Sequence, residues 1–452
     1  MRPEPHYASA PPLLEEMALC FSLGIIPAHV ILWHILYPSC HHYGSRIMRI
    51  AMIGSFGLAP KGTMSARALP LAHALVAKGH HVKVFMPPWH TPQDAETAWQ
   101  EGDVALEYVS LAPEWPAVSE LASSWRLVRG ALAWRPDVIH CFKPKAHAGL
   151  ASWALWHLRR LRRGTLRLVV DEDDWEGPGG WNDLEPYPGW LRRVFTHQER
   201  WGLTHCDAVT VASRALETLV WSLGVDPQCV HYLPNGAAAW RRGAGERVRQ
   251  RHDLGTAPVV LLYTRFFEFD PSRAVKLFRT IAVAEPEARF LVVGKALFAE
   301  DDARFDRLLR DAGLDARTVR TGWTPLEKLP DYLAAADAAV QLMDDTLVNR
   351  CKCSVKLAEL LACGAPVVAD AVGQSAEMIR HGETGLLTPV GQVSAMAEQV
   401  VDLLRDPRRR QEMGRAAAQE MAERYSWPML ADEALRAYIG DEEDGLSRRR
   451  TR

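Results

Sequence analysis

The sequence has little cysteine, no spacing typical of a metal site and almost no net charge. Its eight cysteines in 452 residues show no framework spacing, which argues against a disulfide-rich secreted protein and favours reduced thiols in the cytosol. Cys351 and Cys353 come nearest to a metal-binding pair, but no second pair follows at zinc spacing, so no metal site is predicted. A formal net charge of −2 gives no overall attraction to nucleic acid or anionic lipid.

The hydrophobic pattern from Met48 onward alternates between short apolar runs and longer amphipathic segments. A chain that is 48% hydrophobic and 24% charged over 452 residues has a globular composition and is too long for one core. Such alternation is typical of parallel sheets with helices on both faces. The predicted strands are 49–55, 81–87, 105–111, 137–142, 167–172, 208–213, 258–264, 289–294, 318–322, 338–343, 366–371 and 385–388. The predicted helices include 66–78, 189–204, 391–404, 407–424 and 427–438.

The two ends of the sequence differ from this pattern. Residues 1–47 precede the first predicted strand, and the stretch from Met17 to Tyr37 is mostly apolar and has roughly the 20 residues needed to span a bilayer. Glu15 and Glu16 stand where a signal peptide would carry positive charge, so a membrane anchor competes with a start codon placed too far upstream. Residues 441–452 are highly charged and are predicted to be disordered.

The segment from Lys356 to Asp370 carries the clearest functional pattern. Lys356 and Glu359 lie on the first turns of a predicted helix, Gly364 ends that helix, and Pro366 precedes a buried strand. The start of a helix offers unpaired backbone N–H groups and the positive end of its dipole, which suits a phosphate group. Lys356 adds positive charge there, and Glu359 can accept hydrogen bonds from sugar or ribose hydroxyls.

Together with Gly373–Glu377 and the run from His381 to Leu387, this segment resembles the donor-sugar signature of the family-4 glycosyltransferases. The resemblance implies an α/β fold of the GT-B type, in which two Rossmann-like domains face a cleft. The implied domains are residues 48–238 and 239–424, and the last helix, within 425–440, returns to the first domain. The implied reaction is transfer of a sugar from a nucleotide-sugar to an acceptor hydroxyl, with retention of configuration and without metal or other cofactor.

The resemblance assigns donor-site roles in the second half and also exposes two departures. Arg265 stands where the family keeps an arginine for the donor diphosphate, but the family's lysine five residues later is Asp270 here, a predicted helix cap. Either Arg273 or Lys356 supplies the missing charge, or the activity is altered. Cys351 occupies the position at which many members carry the first glutamate of a Glu-x7-Glu pair. The remaining predicted donor-binding residues are Ser354, which would cap the helix, Val355, Gly373 and Glu377.

The first half contributes candidates at the ends of predicted strands. The loop from Gly54 to Thr63 lacks the glycine spacing of a dinucleotide site and resembles the family's flexible loop, with Gly62 beside the donor. His140 ends a predicted central strand, where the family has a histidine facing the sugar or acceptor, and His147 is its nearest competitor. Lys143 and Lys145 follow in the same loop and are candidates for an anionic acceptor.

An acidic run from Asp171 to Glu176 follows another predicted strand. Asp173 and Asp174 are candidates for acceptor recognition, with Trp175 as a stacking platform for a sugar. A solvated loop and a metal site are the alternatives.

The predicted partners are a UDP- or GDP-sugar and a glycan, lipid-linked or small-molecule acceptor, with no nucleic acid. Trp153 to Arg167 combines two tryptophans with five arginines, which is compatible with peripheral contact at the inner membrane face of a cytoplasmic protein. The alternative is that the arginines complement a helix dipole. Rival functions are a nucleotide-sugar epimerase, a phosphorylase, and a non-catalytic or divergent GT-B protein that binds nucleotide-sugar, which Asp270 and Cys351 would favour.

Overall fold

Two parallel sheets form the framework of the chain. The structure, a computed structural model, describes residues 46–59, 62–111, 116–161, 166–237 and 243–440. The expectations for the apolar stretch Met17–Tyr37 and for the charged segment 441–452 lie outside these residues. Among the residues described, no helix is both long and apolar enough to cross a membrane.

The first sheet has eight strands in the order β3-β4-β2-β1-β5-β6-β7-β8, and only the β3–β4 pair is antiparallel. The strands are β1 (Arg49–Ile53), β2 (His81–Met86), β3 (Ala98–Glu101), β4 (Val104–Tyr108), β5 (Val138–Phe142), β6 (Arg167–Glu172), β7 (Ala208–Val211) and β8 (Val230–Tyr232). The central strands β5 and β7 are buried along their whole length, as expected when helices cover both faces of a parallel sheet.

The second sheet has six parallel strands in the order β11-β10-β9-β12-β13-β14. The strands are β9 (Val259–Tyr263), β10 (Arg289–Val293), β11 (Thr318–Gly322), β12 (Ala338–Gln341), β13 (Val367–Asp370) and β14 (Leu386–Thr388). We call the first sheet with its helices the first domain, and the second sheet with its helices the second domain.

The helices of the described residues connect these strands and cover the sheets. In the first domain they are α1 (Leu69–Ala77), α2 (Pro116–Ala133), α3 (Ala146–Leu161), α4 (Trp181–Leu184), α5 (Gly189–Thr204) and α6 (Arg214–Ser222). In the second they are α7 (Gly245–Arg251), α8 (Pro271–Ala284), α9 (Ala299–Asp311), α10 (Leu329–Leu333), α11 (Leu347–Cys351), α12 (Val355–Ala362), α13 (Ser375–Met378), α14 (Val393–Arg405) and α15 (Pro407–Arg424). The final helix is α16 (Trp427–Ile439).

The alternating pattern therefore predicted the two sheets correctly, with small errors at the strand ends. Most predicted strands run one to three residues past the observed end or begin one residue early. Two strands were not predicted. β3 is a largely exposed edge strand, and β8 has only three residues, so neither leaves a clear alternation.

The final helix α16 returns to the first domain, as the resemblance implied. The Tyr438 hydroxyl lies 2.8 Å from Nδ1 of His140, and the Arg167 side chain donates to the carbonyl of Ala437 at 2.6 Å. The segment leading into α16 also pairs with the segment that leaves the first sheet, since the amide of Ala237 donates to the carbonyl of Tyr425 at 3.0 Å. The chain therefore passes between the domains twice, at neighbouring places.

A buried ion pair fixes the start of α1 against the end of β6. A π-helical stretch, Met64–Ala68, leads directly into α1, so the helical segment starts earlier than the predicted residue 66. This stretch contains Arg67, whose Nε and Nη2 donate to the Asp171 carboxylate at 2.7 and 2.6 Å. Thr210 donates to the same carboxylate at 2.6 Å, so this buried charge has several partners.

Candidate active site between the two sheets

The carboxyl ends of the two sheets meet, and the loops that follow the strands contact one another. Ser213, after β7, donates its hydroxyl to the carbonyl of Cys351 at 2.6 Å. The side-chain amide of Asn235, after β8, donates to the carbonyl of Cys353 at 2.9 Å. Ligands of open α/β sheets bind at the carboxyl ends of the strands, so these contacts bound the candidate site.

The start of α12 has the features expected of a phosphate site. The Ser354 hydroxyl caps the helix by accepting the Leu357 amide at 3.3 Å. Within the described residues, the amides of Val355 and Lys356 have no acceptor. Nζ of Lys356 lies 2.9 Å from Oε1 of Glu268, a buried residue in the loop after β9. The lysine is thereby held at the helix start.

Glu359 lies one turn further along α12, with its side chain mostly buried. Burial raises the pKa of Glu359 to about 7, although a hydrogen bond with Tyr263 and the positive charge of Lys356 oppose that rise. Its Oε2 has no hydrogen-bond partner within the part of the chain that the structure describes. The carboxylate can therefore accept a hydrogen bond from a hydroxyl group of a ligand.

Arg265 follows β9 and is exposed. Its guanidinium lies 5.3 Å from the centre of the Phe267 ring, and no carboxylate pairs with it among the residues described. The loop that carries both residues is held in a turn in which Phe266 has a φ of 64°. Arg265 is thus free to meet an anionic ligand.

The departure at Asp270 has a structural explanation. Asp270 caps α8 by accepting the Ser272 amide at 2.9 Å, and its carboxylate also pairs with Arg304 at 2.9 Å. The predicted substitute Arg273 is engaged too, because its guanidinium binds Asp344 and Asp370. The Asp270 carboxylate is paired with a cation, and the Arg273 guanidinium is occupied by two carboxylates. Of the two predicted substitutes, Arg273 and Lys356, this leaves Lys356.

Sequence reasoning missed Lys352, which lies close to the predicted donor residues. Its Nζ is 3.9 Å from Oε1 of Glu268 and 4.3 Å from the centre of the Phe267 ring. Trp181, from the first domain, contributes a second ring at 5.5 Å from Nζ and packs on Phe267 at 4.9 Å. The position of Lys352 two residues before the predicted cap Ser354 was a local signal in the sequence. Its contact with Trp181 joins the two domains and has no such signal.

Gly373 and Glu377 take part in contacts between chain segments rather than pointing unpaired into the site. Gly373 has a φ of 49°, and a Cβ there would lie 2.6 Å from the carbonyl oxygen of Arg350. Glu377 accepts the Tyr232 hydroxyl at 2.9 Å and the Arg214 amide at 3.3 Å, both from the first domain. Direct sugar binding by Glu377 would require these contacts to break.

On the first-domain side, the predicted glycine loop meets the acidic run. A Cβ added at Gly62 would have no other atom within 4 Å, and the neighbouring Thr63 hydroxyl donates to Asp173 at 2.7 Å. Both residues lie at the carboxyl end of the first sheet. The structure thus brings together two of the segments that the sequence placed beside donor and acceptor.

Lys143 is surrounded by the acidic run. Its Nζ lies 3.0 Å from Glu176 and 3.5 Å from each of Asp173 and Asp174. Burial opposes the charged amine, but these carboxylates hold the pKa of Lys143 well above its usual value. Lys145 is likewise paired with Glu176, at 2.7 Å. The cluster has no surplus of positive charge, so it favours neutral hydroxyl-bearing ligands over the anionic acceptor that the two lysines suggested.

Behind this cluster lie two buried carboxyl groups, Glu172 and Glu199. The pKa of Glu172 is raised well above its usual value, mainly by burial and next by the charge of Glu199. Burial raises the pKa of Glu199 to about 8. The structure thus favours a protonated carboxyl here at neutral pH. Within the residues described, no group of His, Cys, Asp and Glu is arranged to hold a metal ion.

Two predicted first-domain contacts are not found in the structure. His140 is fully buried, and its ring nitrogens lie 2.8 Å from the Tyr438 hydroxyl and 3.1 Å from the Thr210 hydroxyl. Trp175 is buried as well and donates its Nε1 to the carbonyl of Pro178 at 3.1 Å. His140 fails as a sugar contact because α16 covers it, and Trp175 fails as a stacking platform because its ring packs in the core. His147, the competitor of His140, is paired with Glu120 at 2.9 Å.

The arginine-rich stretch after Trp153 is described only in part. Arg159 pairs with Asp207, and Arg167 binds the carbonyl of Ala437. Both arginines therefore have partners within the protein. Arg162 and Arg163 lie outside the described residues, and with them part of the predicted membrane contact.

Two α/β domains whose parallel sheets face each other, with a final helix returning to the first domain, define the GT-B class of glycosyltransferases. Solved structures show the same fold. Sucrose-phosphate synthase from Thermosynechococcus elongatus aligns with a TM-score of 0.67 at 21% identity, covering 89% of this chain and 100% of that one. Anabaena HepE, in complex with UDP and glucose, aligns with a TM-score of 0.63 at 18% identity, covering 88% and 99%.

Sequence profiles define the family. The profile described as "Glycosyl transferase 4-like domain" matches residues 62–236, and the profile described as "Glycosyl transferases group 1" matches residues 259–406. The chain therefore belongs to the family-4 glycosyltransferases, and the predictions of the family, the GT-B fold and a glycosyltransferase enzyme are confirmed.

Curated relatives agree in class. Phosphatidyl-myo-inositol mannosyltransferase of Mycobacterium leprae is 26% identical over 398 residues, which are 86% of this chain and 96% of the relative. The GDP-mannose-dependent alpha-(1-6)-phosphatidylinositol monomannoside mannosyltransferase of Mycolicibacterium smegmatis is 27% identical over 273 residues, 59% and 68% of the two chains. D-inositol 3-phosphate glycosyltransferase of Rhodococcus jostii is 29% identical over 232 residues, 49% and 50%.

The burial of His140 predicts a structural role. Replacing it in His140→Gln removes a buried ring between Tyr438 and Thr210, and we expect a loss of about 1–3 kcal/mol in unfolding free energy. The kcat/KM of the folded variant should stay within a few-fold of wild type. Urea unfolding and initial rates measure the two quantities separately. Unchanged stability with a large loss of kcat/KM would instead place His140 at the sugar.

Proposed function

We propose that this glycosyltransferase moves a sugar from a UDP- or GDP-sugar to an acceptor hydroxyl with retention of configuration and without a metal ion. The observation that carries the donor assignment is the start of α12, where unpaired amides, Lys356 and the nearby exposed Arg265 occur together. Retention is proposed from the family alone. The leaving group supplies the chemical reason for the cations, because negative charge grows on the nucleoside diphosphate as the sugar–phosphate bond breaks.

In this proposal Arg265 and Lys356 bind the diphosphate together with the amides of Val355 and Lys356. Arginine can bond phosphate oxygens in pairs through its planar guanidinium, whereas lysine provides a compact charge. Groups that are already in place need little reorganisation when the charge develops, and each donor of this kind can contribute about 3–4 kcal/mol to the transition state. Ser354 supports the arrangement by capping the helix.

Glu359 is proposed to bind the ribose hydroxyls of the donor. Its unpartnered Oε2 and its place one turn beyond the phosphate site support this role. A hydroxyl donating to that oxygen would also compensate the burial of the carboxylate, since a buried charge is costly without hydrogen bonds.

The acceptor is proposed to bind at the carboxyl end of the first sheet, near Asp173, Asp174 and the loop at Gly62. Carboxylates held by Lys143 can accept hydrogen bonds from the hydroxyls of a sugar or polyol, whether free, in a glycan or on a lipid headgroup. The names of two relatives specify phosphatidylinositol-type acceptors, which supports a lipid-linked polyol here. Sugar transfer to such an acceptor would take place at a membrane surface, and we propose the cytoplasmic face.

A non-catalytic binding protein is less well supported by the site. That alternative was favoured by Asp270, because its carboxylate would repel a diphosphate. The carboxylate instead pairs with Arg304 and caps α8, so Asp270 gives that alternative no support. Cys351 is buried and its carbonyl accepts the Ser213 hydroxyl, which gives it a structural role between the domains. An epimerase or phosphorylase gains no support from any described group.

The proposed reaction predicts slow hydrolysis of the correct donor even without acceptor. We expect incubation with a panel of radiolabelled UDP- and GDP-sugars to release sugar from one of them, and excess EDTA to leave the rate unchanged. Added inositol-type lipids in vesicles should divert the label to product. Tight binding of a donor without turnover would support the non-catalytic alternative, and strict dependence on manganese or magnesium would overturn metal independence.

The diphosphate site predicts a selective loss of affinity. Arg265→Met and Lys356→Met should each weaken UDP or GDP binding by roughly ten- to hundred-fold, because charged hydrogen bonds contribute about 1.5–3 kcal/mol each. Binding of uridine or guanosine should change little. Calorimetric titration measures all four ligands.

Two controls separate charge from structure in that experiment. Lys356→Met leaves Glu268 buried without its nearest partner, so the double variant Lys356→Met/Glu268→Gln tests whether the loss follows from the unpaired carboxylate. Lys276→Met, an exposed lysine on α8, should bind like wild type. Equal losses for nucleoside and diphosphate in Arg265→Met and Lys356→Met would show that these side chains do not contact phosphate.

The raised pKa of Glu359 predicts that nucleoside binding depends on pH. Because the ionised carboxylate is the stronger hydrogen-bond acceptor, affinity for uridine or guanosine should increase several-fold as the pH rises from 6 to 8, through the pKa of about 7. The Glu359→Gln variant should show weaker binding and no such dependence. A wild-type affinity that is flat over this range would remove Glu359 from the ribose site.

The same pKa gives an independent check on stability. The folded pKa lies above the ordinary value of 4.5, so the folded state loses stability as the pH rises from about 4.5 through 7. Glu359→Gln should therefore melt at a higher temperature than wild type at pH 8. Weaker binding combined with higher stability cannot be explained by a misfolded variant.

A further inference from the structure

Three cations converge on one short loop of the second domain. Lys352 and Lys356 both approach the same oxygen of Glu268, at 3.9 and 2.9 Å. Arg265 and Lys352 both approach the ring of Phe267, at 5.3 and 4.3 Å. Arg265 comes from the loop after β9, Lys352 from the segment before α12 and Lys356 from the first turn of α12, so the fold itself places the three cations close together.

The negative charge in contact with these three cations is small. Glu268 is the one carboxylate within 4 Å of the two lysines among the residues described, and its Oε2 has no partner. Asp174, from the first domain, also attracts Lys352. The two lysines are mostly buried and Arg265 is exposed beside them. Cations this close repel one another unless an anion balances them, so the arrangement favours a ligand with more than one negative charge.

Lys352 in particular is not satisfied by its present neighbours. Its side chain is only 9% exposed, yet the distance of 3.9 Å to Glu268 is too long for a hydrogen bond. No other described residue accepts a hydrogen bond from its amine. The rings of Trp181 and Phe267 attract the ammonium through their faces, but such contacts do not replace its three hydrogen bonds.

We propose that Lys352 binds the donor diphosphate and supplies the positive charge that the aspartate at position 270 cannot. This inference rests on the proposed function, because it assumes that the nucleotide-sugar binds at the start of α12. Lys352 comes two residues before the capping Ser354, and its amine lies near the same Phe267 ring as Arg265 and the same Glu268 oxygen as Lys356. The segment before α12 thus takes over a role that the resembled family gives to the residue five positions after the arginine.

The protonation state of Lys352 gives the proposal a measurable property. Burial lowers the pKa of Lys352 to about 8, and the charges of Lys356 and Arg265 add to that effect, while Asp174 and Glu268 oppose it. The amine therefore loses its charge in a range where arginine keeps its own. Diphosphate affinity should fall as the pH rises above 8, by up to about tenfold per pH unit.

The experiment compares Lys352→Met, Lys352→Arg, Lys276→Met and wild type in calorimetric titrations with UDP, GDP, uridine and guanosine between pH 7 and 9.5. Methionine keeps an apolar stem between Trp181 and Phe267, and arginine keeps the charge at high pH. At pH 7 we expect Lys352→Met to lose roughly ten- to hundred-fold in diphosphate affinity, with nucleoside affinity unchanged. Lys352→Arg should bind within a few-fold of wild type and show no decline above pH 8.

The outcomes distinguish this inference from the proposed function. Selective loss of diphosphate binding in Lys352→Met, with a flat pH profile in Lys352→Arg, supports a phosphate contact. Wild-type diphosphate affinity in Lys352→Met, while Arg265→Met and Lys356→Met lose theirs, overturns the inference and leaves the donor site in place. Equal losses of affinity for nucleoside and diphosphate in Lys352→Met would mean that the lysine only packs between the rings of Trp181 and Phe267. That result also overturns the inference. If none of the three methionine variants discriminates, the donor site itself is misplaced.

Discussion

The ion pair between Lys356 and Glu268 is the interaction on which the second domain's part of the site depends. The two residues are 88 positions apart in the sequence and belong to different loops, yet their charged groups meet at 2.9 Å. Burial works against the Glu268 carboxylate, but Lys356 and Lys352 outweigh it and hold its pKa at about 2. The carboxylate therefore stays charged over the whole range in which the enzyme would work, and the lysine at the helix start keeps one position.

The features that could be predicted from the sequence are local ones. Ser354, Lys356, Glu359 and Gly364 lie within one helix and its caps, where spacing determines which side chains share a face. The strand–helix alternation is also local, and both sheets follow from it. The features that could not be predicted join distant segments. Nothing near Lys352 indicates that Trp181 from the other domain will pack beside it.

The first domain shows why the end of a strand predicts ligand-binding residues less well than the start of a helix does. His140 and Asp171 both lie in strands that end at the ligand-binding edge of the sheet. A strand alternates its side chains between two faces, and either face can be covered by a helix. Here α16 covers His140, and Arg67 covers Asp171, whereas Asp173 lies just beyond its strand and meets the loop at Thr63. One or two residues along the chain separate a structural side chain from a candidate for ligand binding.

The hydrogen bond between Ala237 and Tyr425 has a consequence for movement. The chain crosses from one domain to the other in two places, and at those places the two crossing segments lie side by side and pair, with Ala237 also bridged to Ser426. Two crossings far apart would restrict rotation of one domain against the other. Adjacent crossings instead form a single hinge, so rotation of one domain against the other must break contacts made elsewhere between them, such as that of Ser213 with Cys351.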